Sequence, residues 1–215
     1  MDLVAEHTIL SVVVGSRAYG LETGESDTDR RGVYAAPTPL FWRLDKPPTH
    51  LDGPLPEQFS WEVERFVTLA LGANPTVLEC LWSPIVERVT PTGADLLALR
   101  RAFLSQRARE TFTGYANAQF KRLNPARPNW KQAMHMLRLL ISGRHLVEHG
   151  EPLVRVDAYR DRLLAVRRGE LPWPELDHWR QTLTTGLTDL PCPLPEHPDR
   201  AAVDDFLTTV RRSCL

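Results

Sequence analysis

The sequence predicts an α+β fold, with strands gathered early in the chain and helices after them. Three observations carry this: short strand-length runs at residues 8–14, 31–37 and 57–61, apolar helical periodicity from residue 61 onward, and no regular strand-helix alternation. The first run, "TILSVVV" at residues 8–14, ends at a glycine and reads as a buried strand. "RGVYAAP" reads as a second strand, stopped by Pro37. The proline-rich stretch "PTPLFWRLDKPPTHLDGPLP" predicts a long loop, and "EQFSW" at residues 57–61 a third short strand.

Helices follow. "WEVERFVTLALG" is broken at "NP", then come "TVLECLW", "GADLLALRRAFLSQ" and "RETFTGYANAQFKRL". "NWKQAMHMLRLLISGRHLVEHG" opens on an asparagine suited to capping and closes on a glycine. "YRDRLLAVRRG", "WPELDHWRQTLTTGL" and "DRAAVDDFLTTV" complete the series. The interruption at "SPIVERVTPT", residues 83–92, predicts two domains, residues 1–90 and 91–215. No internal repeat or low-complexity tract is visible.

Composition excludes several classes. With 215 residues, 42% of them hydrophobic, the chain can bury a core and is not a disordered tail. No run approaches the length of a membrane span, and "MDLVAEHTIL" carries acids where a signal peptide carries basic residues, so a cytoplasmic protein without membrane partners is expected. Cys80, Cys192 and Cys214 are odd in number and lack CxxC spacing, which points to neither a disulfide framework nor a zinc site. The net charge is −1, but its sign changes along the chain. Residues 1–99 hold 7 Lys/Arg against 14 Asp/Glu, residues 100–144 hold 10 against 1, and residues 145–215 hold 9 against 12. That distribution fits either solvated helix faces or a carboxylate site opposed by a phosphate-binding surface.

The stretch "VVVGSRAYGLETGESDTDRRGVYAAP" is the most informative. On an extended chain Asp27 and Asp29, at i and i+2, point to one face and can share a hard cation such as Mg²⁺, with Mn²⁺ as a substitute. Gly15 lets backbone approach a phosphate closely, and Ser16 adds a hydroxyl and a backbone N–H. Arg17 could neutralise phosphate charge or sit as a surface cation.

This Gly-Ser turn followed by an Asp-x-Asp pair resembles the signature of the DNA polymerase β nucleotidyltransferase superfamily. The fuller string "GSRAYGLETGESDTDRRGV" is similar to that of its RNA-repair, RNA-ligase-associated members. "NPTVLECLW" and "KQAMHMLRLLISGRHLVEHGE" resemble later segments of the same group, so the likeness runs through most of the chain. The resemblance implies a small nucleotidyltransferase sheet core with a C-terminal α-helical domain. It also implies Mg²⁺-dependent transfer of a nucleotidyl group from a nucleoside triphosphate to an acceptor, with release of pyrophosphate. It calls for a third carboxylate on a following strand. Glu57, at the start of "EQFSW", is the preferred candidate to join Asp27 and Asp29 in catalysis and metal binding, with Glu62 and Asp52 as rivals. An RNA end is the acceptor the resemblance favours. Alternatives are an antitoxin-type nucleotidyltransferase that modifies a partner protein, and a nucleotide-binding regulator without activity.

The helical half adds a stripe. Lys131, His135, Arg138, Ser142 and His145 recur at helical spacing, while Met136, Leu137, Leu139, Leu140 and Ile141 cover most of the remaining circumference. A basic stripe on a mostly buried helix must face water, acids or a ligand, because an unpaired interior charge is costly. The ligand reading places Lys131, His135 and Arg138 with Gly15, Ser16 and Arg17 as triphosphate contacts. His135 could also be a general base or a satisfied polar residue of the bundle.

Overall fold

The computed structural model describes residues 2–24 and 26–215. A short helix, α1 (Leu3–His7), is capped by Asp2, whose carboxylate accepts the Val4 and Ala5 N–H groups. It leads into β1 (Thr8–Val14), every residue of which is buried. A one-turn helix, α2 (Gly15–Tyr19), and a loop bring the chain back as β2 (Asp29–Tyr34), antiparallel to β1. The proline-rich segment is not wholly irregular: it holds a 3-10 turn at Thr38–Trp42 and a short edge strand, β3 (His50–Asp52). Next comes β4 (Gln58–Glu62), which pairs antiparallel to β3 and parallel to β2.

Two helices follow, α3 (Val63–Leu71) and α4 (Pro75–Leu81). The break between them has the expected cause. Asn74 accepts the Val77 N–H, and Pro75 at the first helical position has no N–H to lose. The segment read as an interruption instead contains β5 (Val86–Val89), which pairs antiparallel to β1 and completes a sheet of order β3-β4-β2-β1-β5. All four β5 residues are exposed, so no alternation marks this strand; backbone pairing to β1 alone makes it one.

From there the chain is helical: α5 (Pro91–Ala98), α6 (Arg107–Phe120), α7 (Trp130–His149), α8 (Arg160–Arg167), α9 (Trp173–Asp189) and α10 (Arg200–Ser213). The chain is thus a mixed α+β protein with one five-stranded sheet among its described residues. Among the described residues, no helix is long and apolar enough to cross a membrane. The central helix, α7, starts at an Asn129 cap and ends at Gly150 in the left-handed region, as its sequence requires. A Cβ on Gly143 would stand 2.8 Å from the Phe112 side chain, so this glycine sets the close approach of α6 to α7.

One face of the sheet joins the main core through Leu10, Val12, Val14 and Val33, and that core continues through Phe66, Leu78, Phe112, Leu137 and Leu163 to Val210. It therefore crosses the segment at residues 83–92 without a gap in packing. The opposite face of the sheet carries a smaller cluster of Val4, Tyr34 and Ala36.

The C-terminal helix is fastened to the sheet by charge. Glu62 is buried at the end of β4, caps α3 through the Glu64 N–H at 2.8 Å, and receives two bonds from Arg211 of α10, at 2.8 and 3.0 Å. Removing the guanidinium would strand a buried carboxylate. Arg211→Ala should therefore lower the unfolding free energy by about 3 kcal/mol in urea titrations. A loss below about 1 kcal/mol would show that solvent already satisfies Glu62.

Candidate functional site

The site begins with a register. Val14 lies opposite Asp29 in the β1–β2 ladder, so the next residue, Gly15, turns into α2 beside the aspartate side chain. Gly15 has φ of 71°, and a Cβ built on it would fall 2.2 Å from Asp29 Oδ2. Only glycine fits both the backbone conformation and the space.

Asp27 precedes β2, in a loop pinned to α2. Arg17 donates through Nη2 to the Ser26 carbonyl at 2.9 Å and through Nε to the Asp27 carbonyl at 3.3 Å. Ser26 Oγ accepts the Thr23 N–H at 2.9 Å. Two of Arg17's donors thus hold the loop that presents Asp27, and Arg17 is not among the residues lining the cavity beside it.

Asp27, Asp29, Gly15, Ser16 and Ser26 line one wall of a cavity of about 140 Å³. Lys131, Met134 and His135, from the first turns of α7, and Arg167, from the end of α8, line the other. Lys131 and Arg167 make no ion pair among the described residues. Two unpaired cations thus share a small cavity with two carboxylates. His135 is pushed down to about 4 by burial and then by Arg138, Lys131 and Arg167, so at neutral pH it is an uncharged imidazole.

Arg138 does not reach this cavity. It lies on the buried side of α7, donates to Glu79 Oε1 at 2.6 Å, and stacks its guanidinium 3.8 Å above the Tyr19 ring. Tyr19 donates its hydroxyl to Glu79 Oε2 at 3.0 Å, and burial raises its pKa. The side chains of Arg138 and Glu79 are only 7% and 4% exposed. The predicted basic stripe is therefore divided: Lys131 and His135 face the cavity, whereas Arg138 is consumed by a partner on α4. Of the same stripe, His145 contacts the Glu151 carbonyl through Nδ1 at 2.8 Å, and Ser142 is buried in the core.

The third carboxylate does not close on the pair. Among the described residues, no three Asp, Glu, His or Cys side chains stand close enough together to hold a metal ion. Glu57 is adjacent in backbone terms: Arg30, next to Asp29, donates its N–H to the Glu57 carbonyl at 2.9 Å. Its side chain, however, is exposed and lines a neighbouring hollow. Asp52 lines that same hollow from the edge strand, and Glu62 is committed to Arg211. The pair itself suits a hard divalent cation. Two carboxylates face one cavity without a basic partner in ion-pair range among the described residues, and Gly15 leaves room for one of them where any Cβ would intrude.

Sequence reasoning missed Arg167, which reaches the cavity from a separate helix. It also missed the Glu79 and Tyr19 contacts that bury Arg138. The capping and periodicity of α8 are visible in the sequence, but nothing local shows which of its arginines turns inward.

Compared with known families, residues 4–209 match the model of the RNA repair pathway DNA polymerase beta family. The chain belongs to that family. No curated protein matches it.

Breaking the buried pair leaves one charge without a partner, so Arg138→Ala should lower the unfolding free energy by about 3–5 kcal/mol. Lys131→Ala, at an exposed cavity position, should change it by less than about 0.5 kcal/mol. Equal effects in parallel urea melts would contradict this division of the stripe.

Proposed function

We propose that the chain transfers a nucleotidyl group from a nucleoside triphosphate to the end of an RNA. The observation that carries this reading is the cavity in which Gly15, Ser16, Asp27 and Asp29 meet Lys131, His135 and Arg167. Membership of an RNA repair family supports RNA as the acceptor. In this reading the helices from α5 onward act as a C-terminal domain that supplies the second wall.

The reaction forms a bond from the acceptor oxygen, whose proton passes to solvent water, to the α-phosphorus and breaks the bond from that phosphorus to the bridging oxygen, releasing pyrophosphate. Asp27 and Asp29 would hold a divalent cation, Mg²⁺ or Mn²⁺, which lowers the pKa of the attacking hydroxyl and offsets phosphate charge. Gly15 offers a close backbone approach and Ser16 a hydroxyl donor to the distal phosphate oxygens. Lys131 and Arg167 face the accumulating negative charge of the leaving pyrophosphate. His135, uncharged, can donate or accept one hydrogen bond without adding to that positive field.

Incubation with each labelled nucleoside triphosphate, Mg²⁺ and a single-stranded RNA pool should yield labelled RNA. Asp27→Asn or Asp29→Asn should reduce the yield by about 100-fold or more. Label appearing on a protein in place of RNA would move the acceptor to a partner protein. Near-normal turnover by either aspartate variant would reject the site.

Lys131→Ala and Arg167→Ala should each raise the KM for the nucleotide roughly 10- to 100-fold, as expected for a lost bond between charged groups. Unchanged KM in steady-state kinetics would remove the second wall from triphosphate binding.

A further inference from the structure

The sheet face that carries Asp29 does not stop at the cavity. Asp29 and Arg31 are two residues apart on β2 and so face the same side, about 6.6 Å apart along the strand. Arg31 pairs with Phe59 on β4, Phe59 with Asp52 on β3, and Trp61 with His50, so these side chains continue that face to the edge of the sheet.

Their rings form a row. His50 stacks on Phe59 with centroids 5.3 Å apart and planes 19° from parallel, and Phe59 meets Trp61 edge-on at 4.9 Å. Trp61 is anchored on core residue Phe66 at 5.9 Å. The row is therefore rigid at one end and open at the other, where His50 is exposed and Phe59 half-buried.

Arg31 lies 6.0 Å from the Phe59 ring centre, its guanidinium fixed by the Arg30 and Glu57 carbonyls. Together with Asp52, Gly53 and Glu57, Arg31 and Phe59 bound a hollow of about 430 Å³. None of these groups has a role in holding the triphosphate.

The chemistry of the hollow selects its occupant. An aromatic ring beside a guanidinium plane favours a flat π-system. Two carboxylates accept hydrogen bonds from exocyclic amines, and Arg31 can donate to a ring nitrogen or carbonyl. Two acids against one arginine repel a phosphate, so the match is to a base and not to a backbone.

We propose that this hollow is the acceptor subsite and seats the terminal base of a single-stranded RNA. A base held there places its ribose along β2 toward Asp29, so that a terminal hydroxyl faces the carboxylate pair from the side away from Lys131 and Arg167. The proposal rests on the nucleotidyl-transfer reading for its purpose, but its binding test is independent of catalysis.

The test is fluorescence anisotropy of a labelled single-stranded RNA hexamer titrated with the full chain in Mg²⁺ without nucleotide. Phe59→Ala should weaken binding about 5- to 100-fold, the range for loss of one stacked base. Phe59→Leu, which keeps apolar bulk without a π-face, should weaken it similarly, and Phe59→Tyr should stay within about threefold of the parent. The same dependence on Phe59 should persist in the Asp27→Asn/Asp29→Asn double variant, so a dead reaction does not disguise a working subsite. Nucleoside triphosphate binding, measured separately by calorimetry, reports on the cavity alone. The proposal is overturned if folded Phe59→Leu binds the hexamer as tightly as the parent, or if the parent binds no RNA while labelling a protein acceptor.

Discussion

Everything at the site depends on the contact between Gly15 and Asp29. The antiparallel register of β1 and β2 brings a carboxylate onto the α-carbon of the residue that follows β1, and the left-handed φ of that residue turns the chain into α2. The close approach and the turn are two consequences of one missing side chain. Because Ser16 follows directly, its backbone and hydroxyl are delivered beside the carboxylates without any further device. Arg17, next in the chain, completes the arrangement by holding the loop from which Asp27 projects.

The second wall is kept in place by a buried charge. Arg138 of α7 binds Glu79 of α4, which in turn accepts the hydroxyl of Tyr19 in α2. One carboxylate thus connects the helix that starts the Gly-Ser turn with the helix that carries Lys131 and His135. Such a pair is a poor source of net stability, since the desolvation of both ions offsets their attraction. Its value lies in registry: α4 and α7 cannot separate without exposing an unpaired ion, and Tyr19 of α2 is held to the same pair by its hydroxyl and its ring. The Arg160 bond to the Gly20 carbonyl, at 2.8 Å, adds a tie from α8, the helix that supplies Arg167.

Much of this was legible in the sequence where the signal is local. β1 follows a β-branched run that stops at a glycine, β2 a run stopped by Pro37 and β4 a short aromatic run, the break before α4 is an asparagine cap with proline after it, and the Gly-Ser and Asp-x-Asp elements lie within one short stretch of chain. What was not legible depends on partners distant in the chain. Arg138 shares a helical stripe with Lys131, yet Glu79 from another helix decides that it is interior. Arg17 sits beside the site motif, yet two of its donors go to the Ser26 and Asp27 carbonyls. β5 has no burial pattern of its own, because an edge strand exposed on every residue is defined by its neighbour's unpaired backbone. Glu62, a rival for the third carboxylate, is withdrawn from that role by Arg211 near the end of the chain.

The most direct test of a cavity shared by two walls is a crystal structure of the chain with Mg²⁺ and a non-hydrolysable nucleoside triphosphate. The triphosphate should lie between the two walls, with the cation on Asp27 and Asp29 and phosphate oxygens within hydrogen-bond distance of Lys131 and Arg167. A triphosphate bound elsewhere on the molecule, or one whose phosphates avoid both cations, would contradict it.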